Sequence, residues 1–165
     1  MKKSASSKDP IRRDALILLA RRDHSQMELT QKLLQKQHSP TQVEVLIADL
    51  IQAGLLNDQR FAENYCYWRR LKGYGPLRIK MELENRGVDA ETIAEVVQIT
   101  DNAWLAVAKE LWQKRFKPNM TTELKERVKQ MRFLQYRGYT REQIERLFYD
   151  NKEEQRYSKQ QRDSQ

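Results

Sequence analysis

RRLKGYGPLRIKMELENRGV, residues 69–88, is the stretch that decides the fold of this chain. It holds three of the chain's five glycines and one of its four prolines. Glycine takes up a left-handed backbone without penalty, and proline is tolerated in the first turn of a helix, where its missing N–H costs nothing. The order therefore predicts a helix from about Asp58 to Lys72, a left-handed cap at Gly73 and a bridging Tyr74. Gly75 and Pro76 then begin the next helix. Gly87-Val88 predicts a second stop, with glycine turning and the apolar residue after it folding back onto the helix. Stop, start and stop at helical spacing mean all-α structure, and no credible strand is found elsewhere.

Working outward, the same punctuation recurs. Ser25 to Glu28 (SQME), Ser39 to Gln42 (SPTQ) and Thr140 to Gln143 (TREQ) match the capping box, in which a hydroxyl and the N3 side chain satisfy each other's free amides. Gly138-Tyr139 repeats the glycine stop. A shift of fifty residues lays Ile11, Ala15, Leu18, Leu29 and Leu33 onto Phe61, Tyr65, Trp68, Ile79 and Leu83, and Val43 and Ile47 onto Ile93 and Val97. A further shift of fifty-one lays Leu83, Gly87, Ile93, Val96 and Val97 onto Leu134, Gly138, Ile144, Leu147 and Phe148. The chain reads as three copies of one three-helix unit, with KPNMTT (117–122) lengthening a turn in the third.

The expected organisation is a mobile N-terminal tail at 1–10, repeats at 11–55, 56–100 and 101–150, and a polar C-terminal tail at 151–165 that is either mobile or prolongs the last helix. Val43, Leu46, Ile47, Leu50 and Ile51 are expected on one apolar face, as are Ile144, Leu147 and Phe148. One such unit is too small to bury its stripe alone, so neighbours are expected to stack into an elongated, curved, right-handed or solenoid-like array. The lean composition agrees: 39% hydrophobic and 33% charged, with a mean hydropathy of -0.90.

Lys+Arg 31 against Asp+Glu 23 gives a net charge of +8 and a pI near 9.6, which points to phosphate backbones or an acidic protein surface. The charge is segregated. Arg69, Arg70, Lys72, Arg78 and Lys80 surround Tyr74 with no acidic residue between 69 and 81. The rest of the second repeat (58–68 and 81–100) holds Arg60 and Arg86 against seven acids. Lys125, Arg127, Lys129, Arg132 and Arg137 line one helix of the third repeat, and residues 101–149 hold eleven Lys/Arg against six Asp/Glu. A rigid corner that gathers cations around an aromatic ring reads as a binding surface. The final helices of repeats one and two, PTQVEVLIADLIQ and DAETIAEVVQ, are anionic. Phosphates would repel such helices from a major groove, which disfavours base reading by a helix-turn-helix.

Catalytic chemistry is not expected. His24 and His38 sit at helix-start turns without a second metal ligand at usable spacing, and no HExxH, GxxxxGK[ST] or GxSxG occurs. GYGPLR follows a helix rather than a strand and lacks the third glycine of a nucleotide loop. Cys66, the single cysteine, rules out an internal disulfide and reads as a structural thiol. Trp104, Trp112 and Phe116 read as core. ALILLA (15–20) is too short for a signal peptide, and no run reaches membrane-spanning length, so a cytoplasmic protein without membrane attachment is expected.

RDHSQMELTQKL (22–33), LLNDQRFAENY (55–65), RRLKGYGPLRIKMEL (69–83) and KQMRFLQYRGYTREQI (129–144) together resemble the RecX family of bacterial recombination regulators. The resemblance implies three tandem three-helix repeats that lie in the groove of the RecA filament on single-stranded DNA. It implies a negative modulator of filament growth, ATPase, strand exchange and co-protease action, placed in recombination, DNA repair and the SOS response. No cofactor is implied; the partners would be the RecA recombinase filament and single-stranded DNA, met directly or through RecA, by a monomer. Arg69, Arg70, Lys72, Tyr74, Arg78 and Lys80, with Lys125, Lys129, Arg132 and Arg137, are the candidate contacts. The competing readings are an independent DNA-binding protein of helix-turn-helix type and a repeat scaffold for another protein.

Overall fold

The computed structural model describes residues 9–116 and 123–162; the expected 1–10 tail (but for its last two residues) and the KPNMTT turn lie outside them. Among the described residues there are nine helices and no strand: α1 (Pro10–Arg21), α2 (Gln26–Gln35), α3 (Pro40–Gln52), α4 (Asp58–Leu71), α5 (Pro76–Glu84), α6 (Ala90–Val97), α7 (Ala103–Phe116), α8 (Leu124–Arg137) and α9 (Arg141–Arg162). Helix α9 runs well past residue 150. Two compact units form, one of the chain through Tyr65 with Glu82–Val96, the other of Cys66–Met81 with Val97 onward.

The first unit is built on the expected stripes. Ile11, Ala15, Leu29, Leu33, Val43, Leu46, Leu50 and Leu56 form one buried cluster. Ile47 is only partly buried against it, and Ile51 falls off the stripe altogether and is 40% exposed. Hydrogen bonds between side chain and backbone tie the start of α2 to α4 and to the end of α5. The buried Ser25 hydroxyl donates to the Arg86 carbonyl at 2.6 Å, and the Gln26 N–H donates to Asp58 Oδ1 at 2.8 Å.

The three capping boxes do not close alike. At Thr140 both reciprocal bonds form, Gln143 N–H to Oγ1 at 3.1 Å and Thr140 N–H to Gln143 Oε1 at 3.0 Å. Ser25 accepts from the Glu28 N–H, but the Glu28 carboxylate turns to Arg22 (2.8 Å) and Arg86 (3.3 Å). Ser39 accepts from the Gln42 N–H, while Gln42 Oε1 takes the Ser39 hydroxyl rather than its amide. At Glu28 the charge-assisted bonds to the two arginines are stronger than a bond to the backbone N–H and take the carboxylate away from it.

Helices α3, α4, α5 and α8 end at glycines with positive φ, whereas α6 is followed by Gln98 (φ +40) and α2 by another glutamine. After α2 the left-handed position is taken by Gln37 (φ +67), whose N–H reaches Leu34 O at 2.9 Å. A side chain there is strained, and Gln37 is exposed. Gln37→Gly is therefore expected to stabilise the protein by about 0.5 kcal/mol, the relief of strain exceeding the extra freedom of the unfolded chain. Urea unfolding of the variant checks this.

His24 is buried, with its Nδ1–H donating to the Arg22 carbonyl at 3.0 Å. Burial, reinforced by the Arg22 charge, holds its pKa below the ordinary 6.5. The unfolded chain therefore binds the proton first, and the stability that neutral His24 confers is complete above about pH 6.5 and lost as pH falls towards the folded value. The melting temperature is expected to drop between pH 7 and 5, with a shallower drop in His24→Gln.

Candidate partner-binding surface

The corner at residues 72–78 is built in the second unit. Helix α4 ends in a double turn, with the Gly73 N–H on Arg70 O (2.9 Å) and the Tyr74 N–H on Arg69 O (3.1 Å), and Gly73 at φ +77. Helix α8 ends the same way at Gly138 (φ +93), with the Tyr139 N–H on Leu134 O. The end of α8 then docks on the start of α5. The Gly75 N–H donates to Arg137 O at 2.8 Å and the Leu77 N–H to Gly138 O at 3.0 Å. Free carbonyls at one helix C-terminus thus meet free N–H groups at another's N-terminus, and the two helix dipoles align favourably. Backbones approach this closely only because neither Gly75 nor Gly138 carries a Cβ: one at Gly75 would stand 2.5 Å from the Gly138 carbonyl carbon. The buried Tyr139 hydroxyl donates to Gly73 O at 3.4 Å. Desolvation pushes its pKa far above the usual phenol range, so it remains a donor.

Three guanidinium groups converge on the half-buried Tyr74 ring. Arg69 lies 3.6 Å from its centroid, Arg78 4.9 Å and Arg137 5.0 Å. Two of them also cap helix-end carbonyls, Arg137 Nη1 on Lys72 O at 3.2 Å and Arg78 Nη1 on Tyr136 O at 3.3 Å. Positive charge is held in place by the same bonds that shape the corner. Like charges gathered at one fixed point repel each other, and an approaching phosphate or carboxylate lowers that repulsion.

Three segments of the chain match the models of the first, second and third three-helix domains of RecX, at residues 12–50, 57–97 and 103–148. The chain belongs to the RecX family. It is 39% identical to the Regulatory protein RecX of Pseudomonas fluorescens (strain SBW25), over 83% of this chain and 88% of that protein. It is 41% identical to that of Legionella pneumophila (strain Corby), over 84% and 92%. The crystal structure of RecX from Lactobacillus salivarius shares the fold, with a TM-score of 0.75 at 19% identity, covering 86% of this chain and 94% of that one. A second crystal structure of regulatory protein RecX gives 0.72 at 21% identity, covering 83% and 69%.

Within this RecX chain the candidate contacts separate into three groups. Arg69, Tyr74 and Arg78 of the second domain and Arg137 of the third meet at one point, with Lys72 and Lys80 exposed nearby in sequence. Arg70 is not at that point; its guanidinium lies 4.9 Å over the ring of the buried Trp104. Lys125, Lys129 and Arg132 are exposed on α8, which puts Lys125 about 18 Å along the helix from Arg137 at 1.5 Å per residue. Lys129 is ion-paired to Glu126 at 3.4 Å. Cys66 is buried and its thiol pKa is raised by burial, consistent with the structural role expected of it. Among the described residues no three His, Cys, Asp or Glu side chains gather to hold a metal, and no helix is long and apolar enough to cross a membrane.

Sequence reasoning missed an exposed ledge on α4 of this RecX fold. Trp68, in register with the partly buried Leu18, is 60% exposed; Tyr67 is 57% exposed, with its ring edge-on to the indole at 5.2 Å, and Leu71 is 63% exposed. The signal was present. Phe61, Ala62 and Cys66 make one buried stripe, while Tyr67, Trp68 and Leu71 make another, and a helix of a small unit buries only one.

Proposed function

We propose that this RecX-family chain regulates the RecA recombinase by binding its filament on single-stranded DNA and restraining filament growth, ATP hydrolysis, strand exchange and co-protease action. The observation that carries the reading is the convergence of Arg69, Arg78 and Arg137 on Tyr74 at a corner held by backbone hydrogen bonds. A preformed cationic surface loses little freedom when it meets an anionic polymer. The cations of α8 (Lys125, Lys129, Arg132) extend that surface, and the exposed Trp68 offers a flat apolar face beside it in sequence. Many exposed pairs worth ~0–1 kcal/mol each then add up to useful affinity, which falls as salt rises. Helices α3 and α6 carry Glu44, Asp49, Glu91 and Glu95 and no cation, which weighs against base reading by either.

The test is the ATPase of a RecA-type recombinase on single-stranded DNA at low salt. The wild-type protein is expected to slow hydrolysis at substoichiometric ratios. Arg69→Glu/Arg78→Glu is expected to need at least about 10-fold more protein for the same effect, since about 1.4 kcal/mol of lost pairing is tenfold. Thermal unfolding of the double variant confirms that it is folded. Wild-type protein that leaves the ATPase unchanged at low salt overturns the proposal.

A further inference from the structure

The first unit carries a surface opposite in character to the cationic corner. A cleft of about 220 Å³ lies between the start of α1 and helix α3. Its lining includes Ile11 and Leu46, both buried, and Val45, which is 59% exposed. Asp9 and Asp49 also line it. Asp9 uses one carboxylate oxygen to cap α1 through the Ile11 N–H at 3.3 Å. The Asp49 carboxylate has no hydrogen-bond or ion-pair partner among the described residues. Thr41, Val45 and Asp49 follow one another at four-residue spacing, so they form a single row along α3. An apolar floor edged by carboxylates fits a long cationic side chain, its methylenes on Val45 and Leu46 and its head at the acids.

The chain itself presents the matching face. On α8, Leu124 is 76% and Val128 37% exposed, and the exposed Lys125, Lys129 and Arg132 lie beside them. At 100° per residue these five positions fall within an arc of roughly 140°, a single stripe that is both apolar and cationic. Lys125 and Arg132 have no ion-pair partner among the described residues. The cleft belongs to the first unit and the stripe to the second, and Val45, Leu124 and Val128 are exposed.

We infer that a second copy of this chain is the occupant: the α8 stripe of one molecule seats in the α1–α3 cleft of another. Charge and apolar surface are complementary between these two faces of one sequence, in a protein whose net +8 is unevenly distributed. The two faces differ, so the contact is heterologous, and every molecule keeps one cleft and one stripe. The association is weak and salt-sensitive, because its charges are exposed. A monomer, as expected from the sequence, is then the form in dilute solution at high salt.

Sedimentation velocity of the full chain, without recombinase or DNA, tests this. At about 50 mM salt the weight-average sedimentation coefficient is expected to rise between about 10 and 300 μM protein, and to stop rising at about 500 mM salt, where the screening length is only a few ångströms. Two variants separate the faces. Val45→Arg places a cation in the cleft, and Lys125→Gln/Lys129→Gln/Arg132→Gln neutralises the stripe while keeping good helix formers. Both change exposed residues, and circular dichroism verifies their folds. Each alone is expected to remain monomeric, and an equimolar mixture is expected to form a complex of two and nothing larger, because only one intact contact remains. Wild-type protein that is monomeric throughout at low salt overturns the inference. So does association that survives either variant, or a mixture that stays monomeric while wild type associates. The recombinase assay reads neither outcome, so failure here and failure of the regulatory reading remain distinct.

Discussion

Gly75→Ala is expected to destabilise the protein by about 3–5 kcal/mol, a large share of the stability of an ordinary small domain. The added methyl would stand 2.5 Å from the Gly138 carbonyl carbon and oxygen and 2.6 Å from the Tyr139 nitrogen. Those atoms are backbone, so no side-chain rotation relieves the clash, and the end of α8 has to move away from α5. The Gly75–Arg137 and Leu77–Gly138 hydrogen bonds are lost with that movement. Overpacking of this kind costs about 1–3 kcal/mol, and each lost bond adds about 0.5–1.5 kcal/mol. Gly138→Ala meets the same wall from the other side, 2.4 Å from Arg78 Cβ, and adds the strain of a side chain at φ +93. Gly54→Ala is the control. It ends α3 at φ +68 with nothing within 4 Å, so only conformational strain of about 1 kcal/mol applies. Urea unfolding of the three variants ranks them, and a Gly75→Ala protein no less stable than Gly54→Ala contradicts the docking of α8 on α5. The same displacement would pull Arg137 away from Tyr74, so the candidate surface disperses with the corner.

The second large effect is expected inside the helical core of the second unit. Trp112 of α7 is 1% exposed, packs edge-on against Phe148 at 6.0 Å, and donates its indole N–H to Oε1 of Gln130 at 2.9 Å. Gln130 of α8 is itself 2% exposed. Gln130→Leu leaves the indole N–H buried without an acceptor, at a cost of about 1–3 kcal/mol. Trp112→Phe removes ring volume and orphans the amide oxygen, for about 2–4 kcal/mol. In Trp112→Phe/Gln130→Leu neither polar group remains to be satisfied. The double variant is therefore expected to be more stable than the sum of the single effects by about 1–2 kcal/mol. A cycle that closes additively within about 0.3 kcal/mol means that the bond contributes nothing in particular.

Much of the architecture was legible because helix ends are written in local chemistry. Asn57, Asp89 and Asp101 add side-chain caps of the same kind, each accepting a backbone N–H two or three residues on. The double-turn stops at Gly73, Gly87 and Gly138 fall where an αL residue and a following apolar residue require them. Gln37 was not legible as a stop, since glutamine has no preference for that backbone and neighbouring turns impose it. The cationic corner was legible as a run of charge, but not its composition at the ring. Arg70 is one residue from Arg69, yet it leaves for Trp104, because consecutive helical residues point about 100° apart. Arg137 arrives from sixty-three residues away, and no local rule couples it to Tyr74.

By itself the sequence determined the helices, their hydroxyl caps and glycine stops, their threefold repetition and the uneven spread of charge, since each depends on interactions within a few residues. Tertiary structure alone decided that Gly75 and Gly138 meet back to back, that three arginines from two repeats share one tyrosine ring, and that Trp68 faces solvent. Those outcomes depend on which backbone surfaces approach within van der Waals distance, and close packing between distant segments is set by the assembled shape rather than by neighbours in the chain.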